Sequence, residues 1–333
     1  MNLHNDITIF KQAIRAAAQY KGLREIYIEK DYWVTLALYD VFHSEIKEDV
    51  VFKGGTALSK CFGKIERFSE DIDLVLLRSE ADTGNKLKSK LKKIGKLVSN
   101  ELPEFYLKDI TRKMGMNRKT AHSYPHIFKD DFGQVRDCII LETTWLGNPE
   151  PHSKQKIHTF VYEMMLAKGQ NEIADKYNLL PFEVLTLDIR RTLCEKIMSL
   201  VRFSHTDDPI RDLNLKIRHI YDIHQILTDS ELFNFFETEA FNNLLKKVAK
   251  NDVHSFKNNN NWLSKHPQEA VIFSKTQTVW NELSKTYHGT FGNLVYGQLP
   301  NETEVLITLK KIAKRIRYID WAEVENEIII KNK

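Results

Sequence analysis

The chain is poor in cysteine, proline and glycine. Its 333 residues include three cysteines, eight prolines and thirteen glycines. Cys61, Cys138 and Cys194 lie far apart and form no CxxC pair. This argues against a disulfide framework or a thiolate zinc site and favours a reducing compartment, the cytoplasm. So few glycines and prolines also disfavour a loop-rich β-sandwich.

Long apolar runs and several catalytic signatures are missing as well. No uncharged apolar run reaches the ~18 residues that a membrane span requires, so we expect no membrane helix. The first residues are typical of an amphipathic helix and lack the basic start and apolar block of a secretory signal. The patterns GxSxG, HExxH and Walker A do not occur, which disfavours the hydrolases, zinc peptidases and P-loop proteins that carry them.

What is present is an ordinary globular mixture with unevenly distributed charge. Hydrophobic residues make up 42% and charged residues 28% of the chain, which excludes collagen-like and disordered classes. The net charge is only +4, yet residues 86–129 contain twelve basic residues and three acidic ones. Such a segment attracts polyanions such as RNA, while a solvated helix face is the other interpretation. The basic residues are Lys86, Lys88, Lys90, Lys92, Lys93, Lys96, Lys108, Arg112, Lys113, Arg118, Lys119 and Lys129.

Hydrophobic periodicity divides the chain into a mixed N-terminal half and a helical C-terminal half. In the first half it predicts helices over residues 5–20, 29–43 and 84–100, strands over 49–53, 71–77 and 134–145, and a loop over 146–156. Further on it predicts helices over 183–203, 213–228, 231–250, 268–287 and 303–316. We therefore expect an α+β fold, with an α/β domain over residues 1–165 and a helical domain over 166–333.

The segment 53–74, KGGTALSKCFGKIERFSEDIDL, contains the residues that indicate chemistry. Gly54 and Gly55 end a predicted strand, and Thr56 follows at the start of a predicted helix. Backbone N–H groups at such a glycine-rich helix start can hold a phosphate. A tight turn at the glycines and an ordinary helix cap at Thr56 are the alternatives.

Asp71 and Asp73 come two residues apart on the next predicted strand, so their side chains are expected on one face. Two carboxylates held that close repel each other unless a cation lies between them, and Mg²⁺ prefers such oxygen ligands. A phosphate site beside a magnesium-binding pair is typical of phosphoryl or nucleotidyl transfer. Solvated acids on an exposed strand edge are the alternative, which the nearby GGT sequence disfavours.

The same block resembles the AbiEii/AbiGii-type toxin nucleotidyltransferases, a branch of the DNA polymerase β-like nucleotidyltransferase superfamily. The resemblance lies in GG-T-x-L followed by R-x-S-x-D-x-D-L, and residues 29–33, EKDYW, are similar to an E-K-D-Y segment of that family. The residues that match the longer pattern are Gly54, Gly55, Thr56, Leu58, Arg67, Ser69, Asp71, Asp73 and Leu74. The resemblance implies a nucleotidyltransferase fold, in which a small mixed β-sheet is flanked by helices.

Further site residues follow from the resemblance. It implies that Lys196 contacts the triphosphate, that Ser69 and Arg218 help to bind the nucleotide, and that Asp222 serves the catalytic site, with the helical domain contributing across a cleft. A third metal-binding acid is also implied. Glu142 is our choice, because Asp137 at odd spacing on the same predicted strand faces the other way. The alternatives are a solvated lysine, an Arg218–Asp222 surface pair and an ion-paired Glu142.

The resemblance implies a toxin of a toxin–antitoxin system that uses one or two Mg²⁺ ions to transfer NMP from an NTP to an acceptor hydroxyl. The 3′ end of tRNA is the expected acceptor, with RNA along the basic segment 86–129, and a cognate antitoxin is the expected protein partner. Two other hypotheses stay open. One is transfer to a protein hydroxyl, an AMPylation-like modification, and the other is a non-catalytic nucleotide- or RNA-binding module on the same fold.

Overall fold

The computed structural model describes residues 1–69, 71–132, 135–255 and 260–332. The chain forms two compact units. The first unit comprises Met1–Gly63 and Phe68–Leu187, and the second comprises Lys64–Arg67 and Asp188–Lys333. The short segment 64–67 therefore leaves the first unit and packs with the second.

The first unit is built on a seven-stranded mixed sheet in the order β3-β4-β5-β2-β1-β7-β6. Its strands are β1 (Val50–Lys53), β2 (Ile72–Leu76), β3 (Glu104–Phe105), β4 (Asn117–His122), β5 (Ile139–Thr144), β6 (His152–Ile157) and β7 (Phe182–Leu187). At the centre, β2 runs antiparallel to β1 and parallel to β5, while β1 runs parallel to β7. The other pairs are antiparallel.

The helices of the first unit are α1 (Ile7–Lys21), α2 (Glu25–Phe42), α3 (Gly54–Lys60), α4 (Gly84–Ser99), α5 (Phe160–Ala167) and α6 (Asn171–Lys176). In α4, the residues Leu87, Leu91, Ile94 and Val98 recur at helical spacing and are buried, while the opposite face carries lysines. The helices α1, α2 and α4 cover one face of the sheet and form the main core with it.

Helix α2 is buried on nearly every side. Its buried residues include three consecutive charged ones, Glu29, Lys30 and Asp31. The Glu29 carboxylate accepts hydrogen bonds from the backbone N–H groups of Ile127 and Phe128 at 2.9 and 3.2 Å. Asp31 accepts the N–H of Phe160 at 2.9 Å and lies 2.5 Å from the ammonium group of Lys60. Because buried charges are expensive unless they are paired, these contacts fix the surrounding loops to the helix.

The two faces of the central strands differ in what they bury. Ile72, Leu74 and Leu76 of β2 belong to the main core, so the alternating Asp73 lies on the opposite face. Ile140 of β5 and Cys138, just before that strand, likewise belong to a separate small cluster with Ala121. The face away from the main core thus carries both a small apolar cluster and the acidic residues.

The second unit is helical in the residues that the structure describes. Its helices are α7 (Ile189–Phe203), α8 (Pro209–Asn214), α9 (Ile217–Thr228), α10 (Ser230–Phe236), α11 (Glu239–Ser255), α12 (Val271–Ser274), α13 (Thr276–Thr286), α14 (Glu302–Ile316) and α15 (Ala322–Asn332). Helix α7 packs between α9 and α11, and α13 packs on α14. Asp188 begins α7 by accepting the N–H of Arg190.

The predicted α+β fold class, with a helical C-terminal part, is confirmed. Two local predictions are wrong. Residues 182–187 form strand β7 rather than the start of a helix, because the apolar run FEVLTL merges with the following helical pattern in the sequence. Residues 152–156, predicted as loop, belong to the polar edge strand β6, and edge strands tolerate the lysines that hide their signal.

Candidate active site

Asp73 lies between two strands at the centre of the first unit. It pairs in register with Lys53 of β1 on one side and with Glu142 of β5 on the other. Gly54 follows Lys53 with a φ of 83°, and a Cβ added there would lie 2.1 Å from the Asp73 Oδ2 atom. Only glycine therefore fits this position, for both its backbone conformation and its contact with the carboxylate.

Thr56 connects the glycine turn to the segment that carries the first aspartate. Its buried hydroxyl donates a hydrogen bond to the backbone carbonyl of Asp71 at 2.6 Å and lies 3.1 Å from the hydroxyl of Ser69. Helix α3 already begins at Gly54, with Lys53 as its N-cap, so Thr56 is not the cap of that helix. The residues predicted from the GGT and SxDxD patterns are thus brought together in one unit.

Burial and the neighbouring acidic residues raise the proton affinity of Asp73. Burial, followed by the negative charges of Glu142 and Asp71, raises the pKa of the Asp73 carboxyl to about 7, although Lys53 and Lys119 oppose the shift. At neutral pH this carboxylate is therefore only partly ionised unless a cation approaches it. A divalent cation would relieve the repulsion, and that makes the donor set chemically suitable for one.

Glu142, the predicted third acid, already has a cationic neighbour. Its carboxylate accepts hydrogen bonds from the Lys119 ammonium at 3.0 Å and from the Asn117 amide at 3.4 Å. Burial by itself raises the pKa of Glu142, but Lys119 and Asn117 more than offset that effect and hold the pKa below its usual range. The ion-paired interpretation of Glu142 therefore describes this structure, and its role as a metal ligand stays a prediction.

The side chains of Asp71 and Asp73 have the chemistry that suits a divalent cation, but they do not form a complete set of metal ligands. Within residues 1–69, 71–132, 135–255 and 260–332, no group of three or more His, Cys, Asp and Glu side chains is arranged to hold a metal ion. Asp71 and Asp73 offer hard oxygen donors with mutual repulsion. That the two aspartates hold Mg²⁺ stays a prediction.

Arg136 is a neighbour of the acidic pair that sequence reasoning missed. Its guanidinium Nη1 lies 3.9 Å from the Asp71 Oδ1 atom. Its backbone carbonyl accepts a hydrogen bond from the buried Lys30 ammonium at 2.5 Å, so α2 holds the loop that carries it. No motif marks Arg136 in the sequence, because the contact joins residues 65 positions apart.

The other predicted residues, Lys196 and Asp222, lie together in the second unit. The Asp222 carboxylate accepts from Arg67 Nε and Nη2 at 2.7 and 2.8 Å, and the Lys196 ammonium lies 2.8 Å from the same carboxylate. All three side chains are buried. Burial raises the pKa of Asp222, but Arg67 and Lys196 outweigh it and hold the pKa well below its usual range.

This buried triad changes the interpretation of two motif residues. Arg67, the arginine of the R-x-S-x-D-x-D pattern, belongs by its contacts to the second unit. It donates two hydrogen bonds to the Asp222 carboxylate. Asp222 is thus paired with Arg67 and Lys196. Arg218 lies one turn before Asp222 on α9 and is half-buried, and its nucleotide-binding role stays a prediction.

None of the helices in the described parts of the chain is both long enough and apolar enough to cross a membrane.

Comparison with known proteins identifies the family. The sequence model of the family described as nucleotidyl transferase AbiEii toxin, type IV TA system, matches residues 36–311. The chain belongs to this AbiEii family. The predicted family and the predicted enzyme class, a nucleotidyltransferase toxin, are therefore confirmed. The EKDYW segment at 29–33 lies before the matched residues.

No curated protein matches the chain. One solved structure, MenT4, a nucleotidyltransferase toxin from Mycobacterium tuberculosis H37Rv, is similar over 96% of this chain and 98% of its own, with 13% identity and a TM-score of 0.48. Membership of the family itself implies an NTP substrate and an antitoxin partner.

Proposed function

We propose that this AbiEii-family chain is a Mg²⁺-dependent enzyme that transfers NMP from an NTP to the 3′ end of tRNA. The observation that carries the proposal is the contact between Asp73 and Gly54, where the carboxylate and the glycine turn meet with no room for a Cβ. A phosphate held at the turn would therefore lie next to the acidic pair.

The proposed reaction follows from these groups. The oxygen of the acceptor hydroxyl forms a bond to the α-phosphorus, the bond from that phosphorus to the β-phosphate oxygen breaks, pyrophosphate leaves and the hydroxyl proton goes to water. Mg²⁺ bound at Asp71 and Asp73 would supply positive charge to the phosphates and the attacking oxygen. Gly54, Gly55 and Thr56 shape the phosphate site, and Thr56 keeps Asp71 in place through its 2.6 Å hydrogen bond.

The basic segment 86–129 supports RNA as the acceptor. On α4, Lys88, Lys92 and Lys96 are exposed at a spacing of four residues, so they form one stripe on the helix. Other lysines of the segment are engaged by acids, such as Lys90 with Asp49 at 3.0 Å. The exposed stripe is thus one part of the segment that is available to an RNA backbone. The three free cysteines agree with the cytoplasm as its location.

The test is incubation of the chain with each labelled NTP, Mg²⁺, total tRNA and a protein extract. We expect label on tRNA with the wild type and at least a hundredfold less with Asp73→Asn, whereas Asp175→Asn, at an exposed acid on α6, retains full labelling. Label on protein alone would support the NMPylation alternative instead. No label on any acceptor, with nucleotide binding intact, would support a non-catalytic module.

A further inference from the structure

A groove in the first unit adjoins the acidic pair and has no assigned role. It has a volume of about 610 Å³, within the range of small-molecule sites. Leu107, Ile110, Val135 and Cys138 form its apolar wall, and Arg136 lines it as well. Arg136 is also the residue whose guanidinium lies 3.9 Å from Asp71. One side chain therefore borders both the groove and the carboxylates.

The groove and the carboxylates also share a face of the sheet. Cys138 and Ile140 belong to the small apolar cluster away from the main core, against which Leu107 and Ile110 pack. Glu142, two residues beyond Ile140 on β5, points to that same face and pairs in register with Asp73. The groove is thus an extension of the site along β5.

The glycine turn lies on the other side of the acidic pair. Asp73 contacts Gly54, which follows β1, whereas Asp71 faces Arg136, which precedes β5. Since β2 lies between β1 and β5, Asp71 and Asp73 lie between the predicted phosphate site at the glycine turn and the groove. In an in-line transfer the leaving pyrophosphate and the attacking hydroxyl lie on opposite sides of the α-phosphorus. The acceptor is therefore expected on the side of the groove.

From this arrangement we infer that the groove binds the terminal nucleotide of the RNA acceptor, with its base against the apolar wall. The inference rests on the proposed function and adds an acceptor subsite to it.

Residues beside the groove suit a nucleotide. Phe105 and Tyr106, just before Leu107, are 37% and 75% exposed, and exposed aromatic rings can stack on the bases of a single strand. Lys108 and Arg136 supply positive charge for its phosphate.

The acids that line the groove fit a base better than a second phosphate. Asp130, Asp131 and Asp137 also line it, and Arg24 forms a salt bridge with Asp130 at 2.5 Å. A carboxylate such as Asp137 accepts a hydrogen bond from the exocyclic amino group of adenine or cytosine, but it repels phosphate. We therefore expect acceptors that end in an amino-bearing base to be preferred over those that end in uracil.

The first test does not require transfer. A short RNA that ends in 8-azidoadenosine is irradiated with the full chain and Mg²⁺, and the cross-linked peptides are identified by mass spectrometry. We expect cross-links within residues 105–110 or 135–138. Cross-links confined to other segments, or none at all, would overturn the inference even if the chain proves to be a nucleotidyltransferase.

The second test separates acceptor binding from NTP binding. Ile110→Trp fills the groove, and Leu180→Trp, at a residue that is 45% exposed, adds the same bulk elsewhere in the unit. We expect Ile110→Trp to raise the KM for the RNA by roughly tenfold, the size expected from losing one stacked base, and to leave the Kd of the Mg-NTP unchanged. Weaker NTP binding with an unchanged KM for RNA would place the NTP base in the groove and overturn the inference.

The two tests also distinguish the inference from the proposed function. If no RNA is labelled but the terminal base still cross-links to the groove, transfer to RNA fails and the subsite stands. If RNA is labelled and the cross-links lie elsewhere, the subsite fails and the proposed function stands.

Discussion

The carboxylate of Asp73 occupies the space where any other residue at position 54 would carry its Cβ, 2.1 Å from Oδ2. The glycine in the GGT pattern is therefore explained by a contact with an aspartate 19 residues later. The turn and the acidic pair form one structural unit, so that a change at either one is expected to affect the other.

Gly54→Ala tests this contact. The alanine would be strained at a φ of 83° and would also displace Asp73, so we expect a loss of about 2–3 kcal/mol in the free energy of unfolding and loss of tRNA labelling. Gly22→Ala is the matched control, because Gly22 has a φ of 66° with no atom within 4 Å of the added Cβ. The free energy of unfolding of Gly22→Ala should fall by only about 1 kcal/mol, and this variant should keep its tRNA-labelling activity. Equal effects in urea unfolding would contradict the contact argument.

The pH dependence of stability tests whether burial and the neighbouring acids raise the pKa of Asp73. Its pKa is about 7 in the folded chain, against an ordinary value of 3.8, so between these pH values the folded state binds more protons than the unfolded state. The free energy of unfolding contributed by this group therefore falls as the pH rises from about 4 to about 7 and is constant above. In EDTA at pH 8, the free energy of unfolding of Asp73→Asn should exceed that of the wild type by about 1–2 kcal/mol, after allowance for solvent screening. Near pH 4 the two values should be equal.

Urea titrations across this pH range, with and without Mg²⁺, provide the measurement. Mg²⁺ should stabilise the wild type more at pH 8 than at pH 5 and should leave Asp73→Asn unchanged. A difference between wild type and variant that does not vary with pH would show that burial and the neighbouring acids do not raise the pKa of Asp73. Asp175→Asn, at the exposed acid on α6, serves as the control and should behave like the wild type.

Thr56 offers a test of the link between the turn and Asp71. Thr56→Val keeps the shape of the side chain but removes the hydroxyl that donates to the Asp71 carbonyl, so that a partly buried acceptor loses this partner. We expect a loss of about 1–2 kcal/mol in the free energy of unfolding and at least tenfold weaker labelling. Thr56→Ser retains the hydroxyl and should recover most of the activity, whereas a serine variant as inactive as the valine variant would contradict the argument.

The local parts of this site could be predicted from the sequence, and the long-range parts could not. The GGT and SxDxD patterns are close in sequence, and the alternation along β2 is enough to place Asp73 on the face away from the main core, whereas Asp71 precedes the strand. The partner of Asp222 is Arg67, 155 residues away, and periodicity contains no signal for such a pair. Strand β6 was missed for a related reason, since its residues HSKQKI pair with β7 but bury little.

The buried triad in the second unit predicts that substitution of Asp222 costs much more stability than substitution of Asp229. Asp222→Ala would leave Arg67 and Lys196 buried without their anion, so we expect a loss of about 3–5 kcal/mol. Asp229→Asn removes an acid paired with Lys64 but keeps the side-chain oxygen that caps α10, so it should change stability little. Because the pKa of Asp222 is depressed, its contribution is present above about pH 4 and is lost only in stronger acid. Similar unfolding midpoints for the two variants would contradict the triad.

Charge reversal on α4 tests whether RNA uses the basic stripe. Replacing Lys88, Lys92 and Lys96 by glutamate changes an exposed face and leaves the buried residues of the helix in place. Since each lost phosphate contact removes about one counterion from the salt dependence, we expect RNA affinity to fall at least tenfold and the slope of log affinity against log salt to become shallower by about 2–3.

The control for that variant reverses three exposed lysines elsewhere in the first unit, Lys11, Lys168 and Lys176. It changes the net charge by the same amount, so it corrects for the long-range field of the whole chain. If both triple variants weaken RNA binding equally, the effect is one of net charge and α4 is not the contact surface. If only the α4 variant loses affinity while its NTP binding is retained, the stripe acts on the acceptor, because a general disruption of the fold would weaken both ligands together.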